Sequence, residues 1–356
     1  VGAAAFKIMK KALIYNPYFD TLGGGERYTA GVIAAFHEAG YEVTVAWKDQ
    51  LLSDMLRARF DLSTPFHVDN QGYLDLTQGS FIQKIRYQRQ FDAVFWVSDG
   101  SLPLLVTKKN ILHFQVPFST HNARFSDTIK RLFYTHVVCN SRFTQSVISS
   151  TYHLTSSVLY PPCSTIQPGK KEPLILGVGR FDTSLHGKRQ DILIDAFKRL
   201  SLSGWKLVLA GGCLQTSIVD KLQTSIQGSS ISLVCNPSWS ELEQLYSSAS
   251  LFWHAAGFEV NDTLNPEKVE HFGIATVEAM SAGAVPLVYD AGGQREVVTH
   301  AENGFRWHTI DELIAQTRQL IDTPELMQQI SLNARQASSQ FTTEHFIHDF
   351  IQTILS

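Results

Sequence analysis

LYPPCSTIQPGKKEPLILGVG, residues 159–179, holds a break and a restart. Its opening part, 159–173, is dense in Pro, Gly, Ser and Lys. That mixture sustains neither a helix nor a central strand, so it reads as a linker between domains. LILGVG (174–179) then begins a new β-rich run. Before the linker, strand candidates are ALIYN (12–16), EVTVAW (42–47), AVFWVS (93–98), ILHFQ (111–115) and HVVCNS (136–141). Helix-like segments lie between them, as at 26–39, where Tyr28, Val32, Ala35, Phe36 and Ala39 recur at helical spacing. After it come KLVLAG (206–211), ISLVCN (231–236), LFWHA (251–255) and VPLVYD (285–290), alternating with helices near 190–200, 215–226, 239–249 and 274–282. Such alternation builds parallel sheets covered by helices on both faces. The expected fold is α/β, two Rossmann-like domains over 10–165 and 172–340. An amphipathic helix at 343–356, with Phe346, Phe350, Ile351 and Ile354 on one face, can pack back on the first domain.

Composition agrees. At about 150 residues per domain, 356 residues make two. Hydrophobic residues are 44% and charged ones 18%, enough to bury sizeable cores. Thirty basic against 33 acidic residues leave a charge of −3, which excludes a broadly cationic wrapper of nucleic acid. No apolar run approaches the ~20 residues that cross a bilayer, and no secretory h-region opens the chain. VGAAAFKIM (1–9) reads as a frayed start. Cys139, Cys163, Cys213 and Cys235 show no C-x-x-C spacing, so buried free thiols in a reducing cytoplasm are expected rather than disulfides or zinc.

Open α/β sheets bind ligands at the carboxyl ends of their strands, and four loops there carry unusual residues. NPYFDTLGGGER places Gly23, Gly24 and Gly25 before a helix, where backbone can approach a ligand and free N–H groups can meet an anion. It matches neither G-x-G-x-x-G nor the Walker pattern, and a plain strand–helix turn reads it equally well. GRFDTSLHGKRQD (179–191) holds Gly179, Arg180 and Lys188. A guanidinium fork and an ammonium suit a diphosphate, and solvated surface charges are the bland reading. In EHFGIATVEAMSAGAVPLV (270–288), Glu270 and Glu278 are separated by seven residues around Gly273. A helix starting near Gly273 would aim the N–H groups of Gly273, Ile274 and Ala275 at one spot, where an anion also gains from the helix dipole. Eight helical residues would span about 12 Å, against about 5–5.5 Å between the carboxylates of retaining glycoside hydrolases. Two carboxylates gripping different hydroxyls of one long ligand fit better. Last, His113 stands at a strand end, where a lone histidine is more often part of the core than a catalyst. PPCS (161–164) and AGGQRE (291–296) read as structural turns.

Together these stretches resemble glycosyltransferase family 4, retaining transferases of GT-B fold. GGGE (23–26), VVCNSRFT (137–144), VLYPPC (158–163), GVGRF (177–181) with Lys188, and the Glu-x7-Glu block carry the resemblance over nearly the whole chain. The YPPC and EHFGI runs are similar to those of dolichol-pathway mannosyltransferases and bacterial envelope-polysaccharide transferases. The resemblance implies two Rossmann-like domains with parallel sheets facing a deep cleft. It implies that Arg180 and Lys188 hold the donor diphosphate, Glu278 the ribose and Glu270 the donor sugar. Phe272, Gly273 and Ile274 would add backbone contacts, Gly24 and Gly25 would approach the phosphates, and His113 would touch the sugar. The loop from Arg180 to Lys188 is longer than the family's Arg-x4-Lys. No Asp-x-Asp motif is present, so cations and a helix N-terminus are expected to stabilise the leaving diphosphate without a metal. No carboxylate is clearly placed as a nucleophile, and the resemblance implies front-face, retaining transfer.

The expected function is hexose transfer from a nucleoside-diphosphate sugar, UDP-glucose first and GDP-mannose next, to a saccharide or polyprenyl-linked acceptor, with no cofactor and no nucleic acid. A nucleotide-sugar epimerase and a sugar-nucleotide-binding protein without turnover are the alternatives. FIQKIRYQRQF (81–91) and RFSDTIKRLFY (124–134) mix large apolar with basic residues. Helices of that character can lie on an anionic membrane, although ordinary surface helices with snorkelling bases also read so.

Overall fold

Parallel strands buried on both faces need near-continuous apolar sequence, and ALIY, AVFWV and SLFWH supply it. The computed structural model describes residues 9–20, 23–182, 187–213 and 216–356. Residues 1–8 of the expected frayed start, Thr21 and Leu22 before the glycines, 183–186 of the loop before Lys188, and Leu214 and Gln215 at the fourth expected domain-two segment lie outside the described residues.

The chain forms two compact units. The first comprises residues up to Asn140, Thr144–Pro162 and Thr343–Ser356; the second comprises Ser141–Phe143 and Cys163–Thr342. In unit 1, chain order runs β1 (Lys10–Tyr15), α1 (Gly24–Glu38), β2 (Tyr41–Ala46), α2 (Leu52–Phe60), β3 (His67–Asp69), α3 (Asn70–Thr77) and α4 (Phe81–Gln88). Then follow β4 (Ala93–Val97), β5 (Lys109–Phe114), α5 (Phe125–Arg131), β6 (His136–Cys139), α6 (Arg142–Tyr152) and β7 (Ser157–Val158). All pairings are parallel, in the order β3-β2-β1-β4-β5-β6-β7. Side-chain alternation sends Ala12, Ile14 and Phe95 to one face, against α1, and Leu13 and Val94 to the other.

Unit 2 contains β8 (Glu172–Val178), α7 (Gln190–Leu200), β9 (Lys206–Gly211), α8 (Thr216–Ser225), β10 (Ile231–Cys235), α9 (Trp239–Ser248) and β11 (Ala249–His254). It continues through α10 (Ile274–Ser281), β12 (Val285–Tyr289), α11 (Gln294–Val297), β13 (Phe305–Trp307), α12 (Ile310–Asp322) and α13 (Pro324–Ser338). The parallel order β10-β9-β8-β11-β12-β13 reverses direction between β8 and β11. Dinucleotide-type sheets bind their ligands at such a switch point. Within β11, Leu251 and Trp253 join the cluster under α7 and α12, while Phe252 joins the one under α9 and α10. The run 159–173 yields to β8 only at Glu172, and the unit boundary falls inside it.

α14 (Thr343–Phe350), prolonged by a π-helical turn Ile351–Leu355, lies in unit 1 against α1. Phe346 meets Tyr28 at 4.9 Å and Phe350 meets Phe36 at 5.3 Å, both edge-on. Gly31 allows that approach: a Cβ there would stand 2.9 Å from the Phe346 ring.

The cysteine expectation needs correction. Cys213 and Cys235 are joined in a disulfide, while Cys139 and Cys163 are free and buried. β9 and β10 are neighbouring parallel strands with Gly211 opposite Cys235, so Cys213, two residues past β9, arrives beside the end of β10. A sequence separation of 22 hides that meeting. Cross-linking a loop of this length stabilises by up to about 3 kcal/mol, so reduction is expected to lower the melting temperature of this unit by roughly 6–12 °C. Calorimetry with and without a phosphine reductant checks this; coincident melts would show that the bond contributes nothing.

Candidate functional site

The carboxyl ends of β8 and β11 meet at the switch point of unit 2, and the polar residues gather there. β8 runs into Gly179 and Arg180; β11 ends on His254. Lys188 Nζ donates to Glu270 Oε2 at 2.6 Å, and His254 Nε2 lies 3.0 Å from the same oxygen. Both groups sit on the same oxygen, Oε2. Burial pushes the Glu270 carboxyl up, but the Lys188 ammonium and the His254 imidazole outweigh it and hold it well below the usual carboxylate range. Burial also lowers His254, against the pull of Glu270. A neutral imidazole donating Nε2–H to a carboxylate is the state these shifts favour.

Glycines make this crossing of chains feasible. A Cβ on Gly179 would stand 2.5 Å from Lys188 Cγ, so the Lys188 stem passes directly over bare backbone. Gln190 Nε2 ties the turn by donating to the carbonyls of Gly179 and Arg180 at 3.3 and 2.9 Å. Arg180 is partly exposed and lies 3.6 Å from Asp182. The neighbouring Arg189 is turned away, bonded to Asp191 and to the Phe258 carbonyl.

α10 begins where the Glu-x7-Glu block predicts, with Gly273 as its N-cap at φ 112°. Only glycine takes that conformation at ease. The N–H groups of Ile274 and Ala275 occupy the first turn, where a helix has no internal acceptors. Glu278 lies one turn in, buried, and Tyr246 OH of α9 donates to its Oε2 at 3.1 Å. The segment before α10 is clamped by AGGQRE. Gly293 N–H donates to the Glu270 carbonyl at 2.8 Å, and Arg295 bonds Asp262 and Asp290.

Arg180, Lys188, Glu270, Phe272, Gly273, Ile274, Ala275, Glu278 and Gly179 thus fall within one unit, at the ends of β8 and β11 and the start of α10. Gly23, Gly24 and Gly25 stand in unit 1 at the head of α1, where the Glu26 carboxylate accepts from Gly23 N–H. His254 and Tyr246 escaped the sequence reading. The signal for His254 was its place as the last residue of an otherwise apolar strand.

Residues 165–337 match the family described as Glycosyl transferases group 1. This stretch belongs to the group 1 glycosyl transferases. The match begins within the linker and covers the switch point and α10, so the cluster just described lies inside it. The chain is 27% identical over 241 residues to the GDP-Man:Man(3)GlcNAc(2)-PP-Dol alpha-1,2-mannosyltransferase of Xenopus laevis, covering 60% of this chain and 47% of that protein. The human protein of the same name is 26% identical over 248 residues, covering 61% and 48%. The chain therefore spans about half the length of these relatives. Among solved structures, Anabaena HepE in complex with UDP and glucose superposes with a TM-score of 0.73 at 18% identity, covering 97% of this chain and 99% of that one. A glycosyltransferase from Rickettsia africae gives 0.75 at 15% identity, with 98% of each chain covered. The fold is GT-B, two parallel-sheet Rossmann-like units of seven and six strands.

His113, expected from the resemblance to touch the sugar, lies in the core of unit 1. It has no exposed surface and stacks on Tyr28 at 4.1 Å and Phe95 at 5.3 Å within unit 1. A strand-end position shows where the residue lies along β5 but not that two aromatic rings pack on it. Burial lowers its pKa from 6.5 to about 3. Between those values the unfolded chain takes a proton that the folded chain refuses, so stability is lost as pH falls below about 6.5 and the loss is complete near 3. From pH 7 to pH 5 this costs about 2 kcal/mol. Denaturant melts of the wild type should show that loss and His113→Phe should lack it; equal pH slopes would contradict the assignment.

Proposed function

We propose that the protein transfers a hexose, with retention of anomeric configuration and without a metal, from a nucleoside-diphosphate sugar to a saccharide or polyprenyl-linked acceptor. The observation that supports this best is the Lys188–Glu270–His254 cluster beside the first turn of α10 at the switch point. Breaking a sugar–phosphate bond puts additional negative charge on the diphosphate. Arg180, Lys188 and the α10 N-terminus supply positive charge there, while Glu270 Oε1 and Glu278 supply acceptors for sugar and ribose hydroxyls. A Rossmann-type unit without the G-x-G-x-x-G turn is a poor dinucleotide site, which sets hydride chemistry aside.

GDP-mannose gains weight as donor from the relatives named above, which are GDP-Man mannosyltransferases; UDP-glucose is the donor expected from the sequence. A thermal-shift titration with UDP, GDP, ADP and NAD, with and without EDTA, separates them. A ligand at 100 times its dissociation constant adds about 2.7 kcal/mol to the native state. A shift with one nucleoside diphosphate, unchanged by EDTA, is the expected result. A shift with NAD alone, or one abolished by EDTA, would overturn the donor or the metal-free part of the reading. Product analysis then distinguishes a glycosylated acceptor from an isomerised donor or an unchanged one.

A further inference from the structure

Eleven large hydrophobic side chains are exposed among the described residues, and six belong to α4, α5 and the residues directly after α5. They are Phe81 and Ile82, 64% and 68% exposed, and Phe125, Ile129, Leu132 and Phe133, 87%, 50%, 83% and 42% exposed. The two helices cover the same face of the unit 1 sheet. Tyr87 of α4 and Tyr134, just past α5, join one cluster with Leu13, Val94 and Leu105. They also flank one strap of chain: Gln88 Nε2 donates to the Leu104 carbonyl at 3.2 Å and Tyr134 OH to the Pro103 carbonyl at 2.6 Å.

The charge on this surface has one sign. α4 carries Lys84 and Arg86, with Arg89 as its C-cap, and has no acidic residue. α5 carries Lys130 and Arg131, with Arg124 as its N-cap. Its only carboxylate, Asp127, is buried and already occupied by the Lys130 ammonium at 2.9 Å, the Arg124 N–H at 2.9 Å and His121 at 3.3 Å. Lys84, Arg86, Arg89, Arg124 and Arg131 make no ion pair among the described residues.

We propose that this α4–α5 face is a docking surface for an anionic phospholipid bilayer. Exposed Phe, Leu and Ile enter the acyl boundary while Lys and Arg stay with anionic headgroups, which is how amphipathic basic helices bind membranes. A second copy of this chain is a poorer occupant, because it would set one cationic surface against another. The inference stands on the surface itself and extends the proposed acceptor: an enzyme held on the bilayer meets an acceptor carried on a lipid.

Flotation of the purified chain with vesicles of phosphatidylglycerol and phosphatidylethanolamine, against phosphatidylcholine alone, tests it. Binding to the anionic vesicles that weakens with salt is expected. The double variant Phe125→Asp, Leu132→Asp should weaken it at least about tenfold, since each buried apolar side chain contributes strongly to partition. The exposed-charge variant Arg86→Glu, Arg89→Glu should weaken it and flatten its salt dependence. Both sites are exposed, so both variants should melt as the wild type does. Absence of binding to anionic vesicles, or binding indifferent to both variants, overturns the proposal. So does a concentration-dependent dimer in light scattering that Phe125→Asp dissolves, which would give the face to a second copy. Nucleotide thermal shifts on the same samples keep the two readings apart: vesicle binding without a nucleotide shift would sink the donor reading alone.

Discussion

Glu270→Ala is expected to lower the transfer rate at least about 100-fold, and Lys188→Ala by a similar factor, near the loss seen when one preorganised electrostatic contact is removed from an active site. The two residues act as one unit because the ammonium sits 2.6 Å from the carboxylate. On the proposed function, removing Glu270 deletes an acceptor for the donor sugar, and it also releases Lys188 from its ion pair. On the same reading, removing Lys188 deletes a cation at the leaving diphosphate, and it lets the Glu270 carboxyl rise toward its usual value. The double variant should then lose less than the product of the single losses, as contacting residues do. Near-normal turnover in either single variant would remove the role given to it.

His254 supplies a finer readout. It touches no ligand in this reading and acts by orienting Glu270. His254→Gln keeps a donor near Oε2 but loses the ring that helps hold the carboxyl low. The wild type should keep its activity through mildly acid pH, since Glu270 is held well below 4.5 and stays ionised. In His254→Gln the acid limb of kcat/KM should move upward in pH while nucleotide affinity changes little. A uniform loss of rate with an unmoved acid limb would mean that His254 serves packing alone.

How far the sequence is legible depends on how local each feature is. β1, β4, β9, β11 and β12 announce themselves because both faces of a central parallel strand are buried. β3, β7 and β13 are edge strands of two or three residues, too short for any period to register. α12 and α13 bury narrow stripes, Leu313, Thr317 and Leu320, then Ile330, Ala334 and Ser338, in which polar and small residues dilute the apolar signal. At the site, the Glu-x7-Glu block is contiguous, so Gly273 and the start of α10 can be placed from sequence. Contacts across the sheet cannot. Lys188 meets Glu270 over 82 positions and His254 meets it over 16. Cys213 meets Cys235 only because β9 and β10 are neighbours. His113 shows the converse limit, since strand-end position carries no information about the rings stacked on it.

Glu278→Ala is expected to raise the dissociation constant of the nucleoside diphosphate about 10–100-fold, since a hydrogen bond to a charged group contributes about 1.5–3 kcal/mol. The carboxylate is buried, held by the Tyr246 phenol and carried on a rigid helix, so little side-chain freedom remains to be lost when a ligand binds. If its acceptors serve the ribose, the cost must depend on the ribose. A 2′,3′-dideoxynucleoside diphosphate should bind the wild type weakly and Glu278→Ala no worse than the variant binds the ordinary nucleotide. Tyr246→Phe should fall between, because it frees the carboxylate to turn without removing it. A variant that still distinguishes the two nucleotides as the wild type does would place the ribose elsewhere. Glu278 would then be a carboxylate that α9 and α10 share for stability, and the drop would appear in melting temperature rather than in affinity.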